Sequence, residues 1–163
     1  MKPIPQKWRI ALAWGIVAAV AVAIFCFSAQ NAEESGEVSG SLSMNLYSIY
    51  TRLFGLPCIA GGSDLVLQIE HILRKLAHMS IYLVLGFFVA NAFVRSGCRL
   101  RTAMFAAVAV TFLYGVTDEF HQLFVPGRSG QIRDVILDSA GAAVGILILC
   151  RVGRLWQRVA RKK

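Results

Sequence analysis

Acidic and basic side chains are concentrated in a short stretch between two strongly apolar segments of the chain. Charge is costly beside hydrocarbon, and ionisable groups at the mouths of membrane helices therefore indicate a functional site. Carboxylates beside an imidazole can transfer protons near neutral pH, and a guanidinium can bind two phosphate oxygens at once. The residues of this stretch that could do such chemistry are Asp118, Glu119, His121, Gln122, Arg128, Arg133 and Asp134, and Asp138 follows inside the next apolar segment.

The composition places these charges in a membrane protein. Of the 163 residues, 56% are hydrophobic and 16% are charged, whereas a soluble domain has about 25% charged residues. A bilayer core requires roughly 17 to 25 mostly apolar residues per helix. We therefore predict an all-α membrane bundle in which residues 1–163 form a single domain, with transmembrane helices at about 10–28, 76–94, 102–120 and 135–150.

Basic residues outside these helices are sorted by side. The N-terminus, the second loop and the tail at 151–163 hold twelve of the seventeen Lys and Arg residues and none of the nine acids. Short loops rich in Lys and Arg stay in the cytoplasm. We predict a multi-pass plasma-membrane protein with both termini in the cytoplasm. A cleavable signal peptide is the alternative for residues 1–29, but the apolar run is longer than such a segment requires.

The first outer loop, at about 30–74, has a helical pattern of its own. Leucine and isoleucine recur from Leu42 to Leu56 at steps of four and three, which is typical of one helix face. We predict an interfacial helix there, either lying on the outer leaflet or covering the site as a lid. A new helix should begin at Ser63 or Asp64 and run without a break into the second transmembrane helix.

Polar residues form a stripe along the second transmembrane helix. His71, Lys75, His78 and Tyr82 follow one another at steps of four, three and four, and Arg74 lies one turn before His78. Residues at these steps share one helix face. The stripe should descend from the outer surface into the membrane. The two histidines are two turns apart, too far for one zinc ion unless other segments fold between them.

The fourth helix carries a second stripe, which is polar at its outer end and small below it. It consists of Asp134, Asp138, Gly141 and Gly145. Asp134 can also cap the helix that begins there. The step from Gly141 to Gly145 is a GxxxG motif, which favours close helix packing. This face can pack inside the bundle or against a second copy in a homo-oligomer.

The polar cluster could be a structural ion network or a cation site. The basic residues could neutralise the acids in a structural ion network, because buried charge persists when it is paired. A divalent cation could also be held by Asp118, Glu119 and Asp134, since such ions prefer carboxylate oxygens. Nothing in the spacing requires this ion, and no cofactor is predicted.

Four blocks stand in order at the helix ends. They are Phe27-Ser28-Ala29-Gln30, then Arg74-Lys75-x-x-His78-x-x-x-Tyr82-x-x-x-Gly86, then Asp118-Glu119-x-x-Gln122-x-x-x-Pro126-Gly127-Arg128, and finally Asp134 before the glycines of the fourth helix. In this order, and on one side of the membrane, the blocks resemble the VanZ-like family. The resemblance covers nearly the whole chain.

The resemblance implies a bacterial membrane protein with a role in resistance to teicoplanin-type glycopeptides, by a route other than altering the peptidoglycan stem peptide. Asp138 stands where many members have Asn, and a carboxylate there should either take Arg or Lys as its partner or hold a proton and be neutral. The polar positions of the family correspond here to Ser28, Gln30, Arg74, Lys75, His78, Tyr82, Asp118, Glu119, Gln122, Arg128 and Asp134.

We therefore expect a site at the outer leaflet that binds, and could modify, an anionic envelope lipid or a lipid-linked cell-wall precursor. Basic residues would bind phosphate, and an imidazole oriented by a carboxylate would transfer protons. The predicted catalytic residues are His78, Asp118 and Glu119. The predicted binding residues are Ser28, Gln30, Arg74, Lys75, Tyr82, Gln122, Arg128, Arg133, Asp134 and Asp138.

Two other function classes stay open. A non-enzymatic component that binds a partner protein, or shields the surface, would depend on the predicted helix at 42–56. A small scramblase or transporter would need polar groups that continue toward the cytoplasm, whereas the stripes fade into glycine and aliphatic residues. The net charge of +8 suits cytoplasmic loops near anionic lipid, so no nucleic-acid partner is expected.

Overall fold

The described part of the protein is a bundle of four long helices. The computed structural model describes residues 5–30, 44–45, 48–49, 64–128 and 130–160. The helices are α1 (Gln6–Ser28), α2 (Asp64–Arg95), α3 (Leu100–Gln122) and α4 (Ile132–Ala160). All four are long and apolar enough to cross a membrane. The chain is therefore an all-helical, multi-pass membrane protein, as its composition predicts.

The helix boundaries extend the predicted ones. α2 runs without a break from Asp64 to Arg95, which confirms the predicted continuation into the second transmembrane helix. α3 passes Phe120 and ends at Gln122, and α4 continues to Ala160, into the predicted tail. The predicted interfacial helix at 42–56 lies outside the described residues, apart from four of its positions, which are helical.

A glycine turn reverses the chain between α2 and α3. The backbone N–H of Cys98 donates to the carbonyl of Phe93, and that of Gly97 to the carbonyl of Val94, both at 3.1 Å. This pair of bonds closes a helix C-terminus when the residue at the Gly97 position adopts a left-handed conformation. Gly97 has a φ of 94°. The turn is short, so α3 runs antiparallel to α2.

A second glycine turn follows α3. The backbone N–H of Arg128 donates to the carbonyl of Val125 at 3.1 Å, and Gly127 has a φ of 74°. Pro126 precedes this glycine, the order that favours a turn with a positive φ at its third residue. The turn returns Arg128 toward the helix ends.

Contacts along the bundle show that all four helices alternate in direction. The side-chain amide of Gln6 donates to the carbonyl of Arg95 at 3.2 Å, and the Tyr114 hydroxyl donates to the carbonyl of Ala21 at 2.6 Å. On α4, Gly141 lies against Met79 and Gly145 against Leu83, so α4 runs parallel to α2. We call the end at residues 28–30, 71–78 and 118–138 the polar end. The opposite end, at residues 6–9, 91–101 and 151–153, is the basic end.

The closest helix pair is α2 with α4, and glycines make the approach. A Cβ on Gly141 would overlap the carbonyl oxygen of Met79, and one on Gly145 would overlap that of Leu83. A Cβ on Gly86 would overlap the backbone of Ala142 in the same way. Small residues allow such approach in membrane bundles, where packing rather than hydrophobic burial drives association. The GxxxG face therefore packs within the chain.

Apolar residues fill the bundle below the polar end and cover its outside. The buried cluster includes Ile24, Leu85, Val89, Ala107 and Ile146. Large apolar side chains on every helix remain exposed, which suits contact with lipid tails rather than water. Examples are Leu12, Val84, Leu113 and Leu147, at 65%, 39%, 62% and 53% exposure.

Candidate functional site

A cavity of about 160 Å³ opens at the polar end, between α2, α3, α4 and the loop that joins α3 to α4. The basic side chains around it are half-buried, whereas its carboxyl and amide groups on α3 and on the second turn of α4 are buried. The two helical stripes thus meet in one pocket. The predicted site residues that line it are Arg74, Lys75, His78, Glu119, Gln122, Arg128, Asp134 and Asp138.

A cross-helix ion pair stands on one side of the pocket. The Lys75 ammonium contacts the Asp134 carboxylate, and their side chains are 27% and 23% exposed. Asp134 lies in the first turn of α4, where the helix dipole favours a negative charge. The pair joins the two polar stripes of α2 and α4.

Arg128 lies on another side, held by the end of α1. Its Nε donates to the backbone carbonyl of Gln30 at 3.2 Å. Burial lowers the pKa of the Arg128 guanidinium, and the positive charge of Arg74 acts in the same direction. The group stays cationic because a guanidinium does not lose its proton in proteins. Two guanidinium groups thus approach one another beside the cavity, an arrangement that an anion would stabilise.

Glu119 carries its carboxylate at a helix C-terminus, where a negative charge is unfavourable. It lies in the last turn of α3, where the helix dipole opposes a negative charge. The loop compensates, because the backbone N–H of Gln131 donates to Glu119 Oε2 at 2.8 Å. Gly130 is packed against the carbonyl of Glu119, where no Cβ fits. The loop backbone therefore closes over the end of α3 and fixes this carboxylate.

Beneath the pocket, three ionisable side chains from three helices converge. One ligand-type atom each from His78, Asp118 and Asp138 lies within 4.8 Å of the other two, and His78 Nδ1 is 4.0 Å from Asp138 Oδ2. Asp118 and Asp138 are only 4% and 2% exposed. The Tyr82 hydroxyl donates to Asp118 Oδ2 at 3.3 Å. Two buried acids thus share one imidazole.

Ser28 joins this group from α1. It is fully buried, and its hydroxyl faces the Asp118 carboxylate. Neither Ser28 Oγ nor Asp118 Oδ1 makes a hydrogen bond of standard geometry. All four helices therefore contribute to the polar end, since α1 adds Ser28 and, just beyond its end, the carbonyl of Gln30.

The structure separates the thirteen predicted residues into four groups. Eight line the cavity, and Ser28, Tyr82 and Asp118 lie buried beneath it. Gln30 does not line the cavity, but its backbone carbonyl accepts a hydrogen bond from Arg128, which does. Arg133 is exposed and does not line the cavity.

Some residues of the site were not predicted. Gln131 contributes a backbone N–H, and Leu137 lines the cavity between the two aspartates of α4. His121, which the sequence places among the residues that could do chemistry, does not line the cavity and instead stacks on Phe25, with ring centroids 4.5 Å apart. The backbone donor at Gln131 could not be predicted, because any residue type can supply a backbone N–H. Leu137 could have been predicted, because it lies three residues after Asp134 and therefore on the same helix face.

Four apolar helices with a charged pocket at one end define a polytopic membrane protein with a polar site between its helix ends. The sequence profile of the VanZ/LLP1 family matches residues 13–155, a range that includes every residue of the pocket. The chain belongs to the VanZ/LLP1 family, which confirms the resemblance found in its helix-end motifs. No significant match was found among curated proteins or among solved structures.

Proposed function

We propose that this protein binds an anionic envelope lipid or a lipid-linked cell-wall precursor through its phosphate, in the pocket at the polar end. The observation that carries the proposal is the cavity of about 160 Å³ with Arg74, Lys75 and Arg128 around it. Guanidinium and ammonium groups are the side chains that bind phosphate oxygens most strongly. A lipid reaches such a site from the side, with its tails along the exposed apolar faces of the helices.

The inner half of the bundle supports a binding site over a transport path. One turn below His78 lies Tyr82, and the buried residues that follow on α2 include Leu85 and Val89 and are all apolar. A path for ions or polar headgroups would carry polar groups across the membrane. The described core instead continues as packed aliphatic side chains toward the basic end.

A chemical step on the bound lipid would use the base of the pocket. His78 with Asp118 or Glu119 remains the acid–base group that the sequence predicts, and Asp138 lies 4.0 Å from His78 Nδ1 as a further carboxylate partner. An imidazole beside a carboxylate is suited to proton transfer near neutral pH. Modification of the lipid would then be the biochemical route to glycopeptide resistance.

Binding is tested with the full chain in phosphatidylcholine nanodiscs, using native mass spectrometry to count bound polyprenyl phosphate and phosphatidylglycerol. Arg128→Gln and Lys75→Gln should each weaken binding about tenfold, because each removes a charged hydrogen bond worth about 1.5–3 kcal/mol. Arg95→Gln, at the basic end, is the matched control. Equal affinity in the wild type, both pocket variants and the control would refute the proposed site.

The role in resistance is tested separately in cells. His78→Ala and Asp118→Asn should raise sensitivity to teicoplanin if the pocket acts in resistance. Protein levels in the membrane are measured in the same cells. Variants that insert at wild-type levels but leave both glycopeptide susceptibility and lipid profile unchanged would show that the pocket has no such role.

We also propose that the polar end faces outward and that both termini lie in the cytoplasm. The support is the sorting of twelve of the seventeen basic residues to the other side, without acids. The test uses single cysteines, Pro126→Cys or Arg99→Cys, in a chain whose native cysteines are replaced by serine. A membrane-impermeant thiol reagent should label only the first in intact cells. Labelling of only the second would reverse the topology.

A further inference from the structure

Three metal-ligating side chains meet beneath the pocket, each from a different helix. His78 comes from α2, Asp118 from α3 and Asp138 from α4, with ligand-type atoms within 4.8 Å of one another. An ion bound by all three would need ligand distances of about 2.1 Å, which places tetrahedral ligand atoms about 3.4 Å apart. The separation of 4.0 Å between His78 Nδ1 and Asp138 Oδ2 is within a small side-chain rotation of that value.

A buried carboxylate oxygen at the same place makes no hydrogen bond of standard geometry. Asp118 is 4% exposed, and its Oδ1 makes no such bond among the described residues, although the Ser28 hydroxyl faces this carboxylate. A buried carboxylate oxygen without a partner is strongly destabilising. Its other oxygen is already engaged, because the Tyr82 hydroxyl donates to Oδ2. A cation bound to Oδ1 would satisfy this atom.

The donor set selects the kind of cation. One imidazole nitrogen and two carboxylate oxygens suit a divalent transition ion such as Zn²⁺ or Mn²⁺ better than an all-oxygen ion such as Ca²⁺ or Mg²⁺. Two carboxylates and one divalent cation are neutral together, which lowers the cost of burying charge at this depth. Three protein ligands leave at least one coordination position open, as in catalytic rather than structural metal sites.

We propose that His78, Asp118 and Asp138 bind one divalent transition-metal ion at the base of the pocket, with its open position toward the cavity. His78 and Asp138 both line that cavity, so a phosphate bound by Arg128 and Lys75 would reach the ion with one oxygen. The phosphate part of this proposal rests on the proposed function, whereas the metal part does not. Tyr82 acts as the positioning residue, since its hydrogen bond orients Asp118.

A metal ion and an acid–base role are competing uses of His78. As a ligand, the imidazole lends a nitrogen lone pair to the ion and cannot carry the proton in transit. The metal then supplies the positive charge that polarises a phosphoryl oxygen. A requirement for metal in lipid binding therefore distinguishes the two roles.

The metal is tested first, without anionic lipid. The full chain in phosphatidylcholine nanodiscs is stripped with a chelator and titrated with Zn²⁺ or Mn²⁺ by calorimetry, with bound metal counted by mass spectrometry. We expect one ion per chain. Asp138→Asn and Asp118→Asn, which nearly preserve side-chain shape, should each weaken binding by more than about 100-fold, beyond the effect typical of outer-shell partners. Tyr82→Phe should weaken it about tenfold while keeping one ion per chain.

His71→Gln is the matched control, because His71 is an exposed histidine of the same helix that lines the cavity two turns from His78 but lies outside the group of three ligands. Its affinity should stay within about twofold of the wild type, since it supplies no ligand to the triple. Equal metal binding in the wild type and in both asparagine variants would overturn the metal site. So would a loss in His71→Gln as large as in those variants.

Binding of polyprenyl phosphate with and without metal then separates this inference from the proposed function. Metal should raise the affinity of the wild type about tenfold and leave that of Asp138→Asn unchanged. Phosphate binding that needs Arg128 but no metal would keep the proposed function and overturn the contact between ion and phosphate. Stoichiometric metal binding without any phosphate binding would do the reverse, keeping the metal site and refuting the function.

Discussion

The two ends of the bundle differ in a way that volume alone does not reveal. The basic end holds a groove of about 360 Å³ lined by Arg9 and Arg95, more than twice the cavity of about 160 Å³ at the polar end. Its hydrogen bonds, from Gln6 to Arg95 and from Trp14 to Ser96, are exposed. The larger space is therefore an open surface between helix ends.

The polar end is built from buried groups of both signs. Acids, bases and an imidazole from α2, α3 and α4 contact one another there, and two of the acids are less than 5% exposed. Burying charged groups together costs desolvation free energy, and an apolar core would hold the helices together at least as well. Their presence therefore indicates a role other than stability. The comparison teaches that convergence and burial of opposite charges distinguish the candidate site, whereas the basic end carries charges of one sign, as the proposed topology requires.

The largest expected effect on stability tests whether the helices are packed more tightly beside the polar end than at the basic end. Gly141→Val should destabilise the bundle by more than about 3 kcal/mol, because its Cβ would overlap the carbonyl of Met79 beside the site. Gly153→Val is the control at the basic end, where a Cβ would meet nothing within 4 Å. Unfolding by SDS titration in micelles measures both. Equal losses in the two variants would remove the distinction in packing.

A smaller effect is expected from one buried hydroxyl. Tyr82→Phe should cost about 2 kcal/mol of stability, because it leaves Oδ2 of the buried Asp118 without its donor. Tyr114→Phe is the matched control, since its hydroxyl donates to a backbone carbonyl, that of Ala21, and is only partly buried. Loss of that neutral hydrogen bond should cost about 1 kcal/mol. The same unfolding titration applies, and a larger loss in the control would contradict the polar end's special character.

The sequence predicts the helices well because the bilayer imposes length and apolarity on every span. It also predicts the faces of α2 and α4, since steps of three and four place Lys75, His78, Asp134 and Asp138 on two stripes. The extension of α4 to Ala160 was not predicted, because a helix beyond the bilayer needs no apolar run. Membrane physics thus determines the architecture but not the helix ends.

The rotation of α3 is what the sequence leaves undetermined. Asp118 and Glu119 are adjacent and therefore point about 100° apart, so their order does not reveal which one faces α4. The cation alternative raised by the sequence combined Asp118 with Glu119 and Asp134, whereas the structure brings Asp118 together with His78 and Asp138. Glu119 instead accepts a hydrogen bond from the loop. Only packing of all three helices fixes this choice.

The ion pair across α2 and α4 offers a test of charge at the two ends. A double-mutant cycle with Lys75→Met and Asp134→Asn should give a coupling of about 1 kcal/mol, since the half-buried pair is only partly screened by solvent. The cycle with Arg9→Gln and Arg95→Gln should give a coupling of zero or of opposite sign, because both side chains are positive. The coupling is measured from unfolding midpoints at low and high salt. A stabilising coupling at the basic end would contradict the assignment of its charges to topology.

The smallest effect on stability is expected at the contact of Trp14 with Ser96 and Phe93, at the basic end. Trp14 Nε1 donates to Ser96 Oγ at 3.2 Å, and the indole meets Phe93 edge-on with ring centroids 5.2 Å apart. Trp14→Phe should change stability by less than about 0.5 kcal/mol, because the phenyl ring keeps the aromatic contact and the exposed Ser96 hydroxyl can bond water. Ser96 also donates to the carbonyl of Ala92 at 2.8 Å, so Ser96→Ala serves as the control for its side of the bond. If Trp14→Phe lowered the free energy of unfolding as much as Tyr82→Phe, an exposed polar contact would stabilise the bundle as much as a buried one. Burial would then not distinguish the polar end from the basic end.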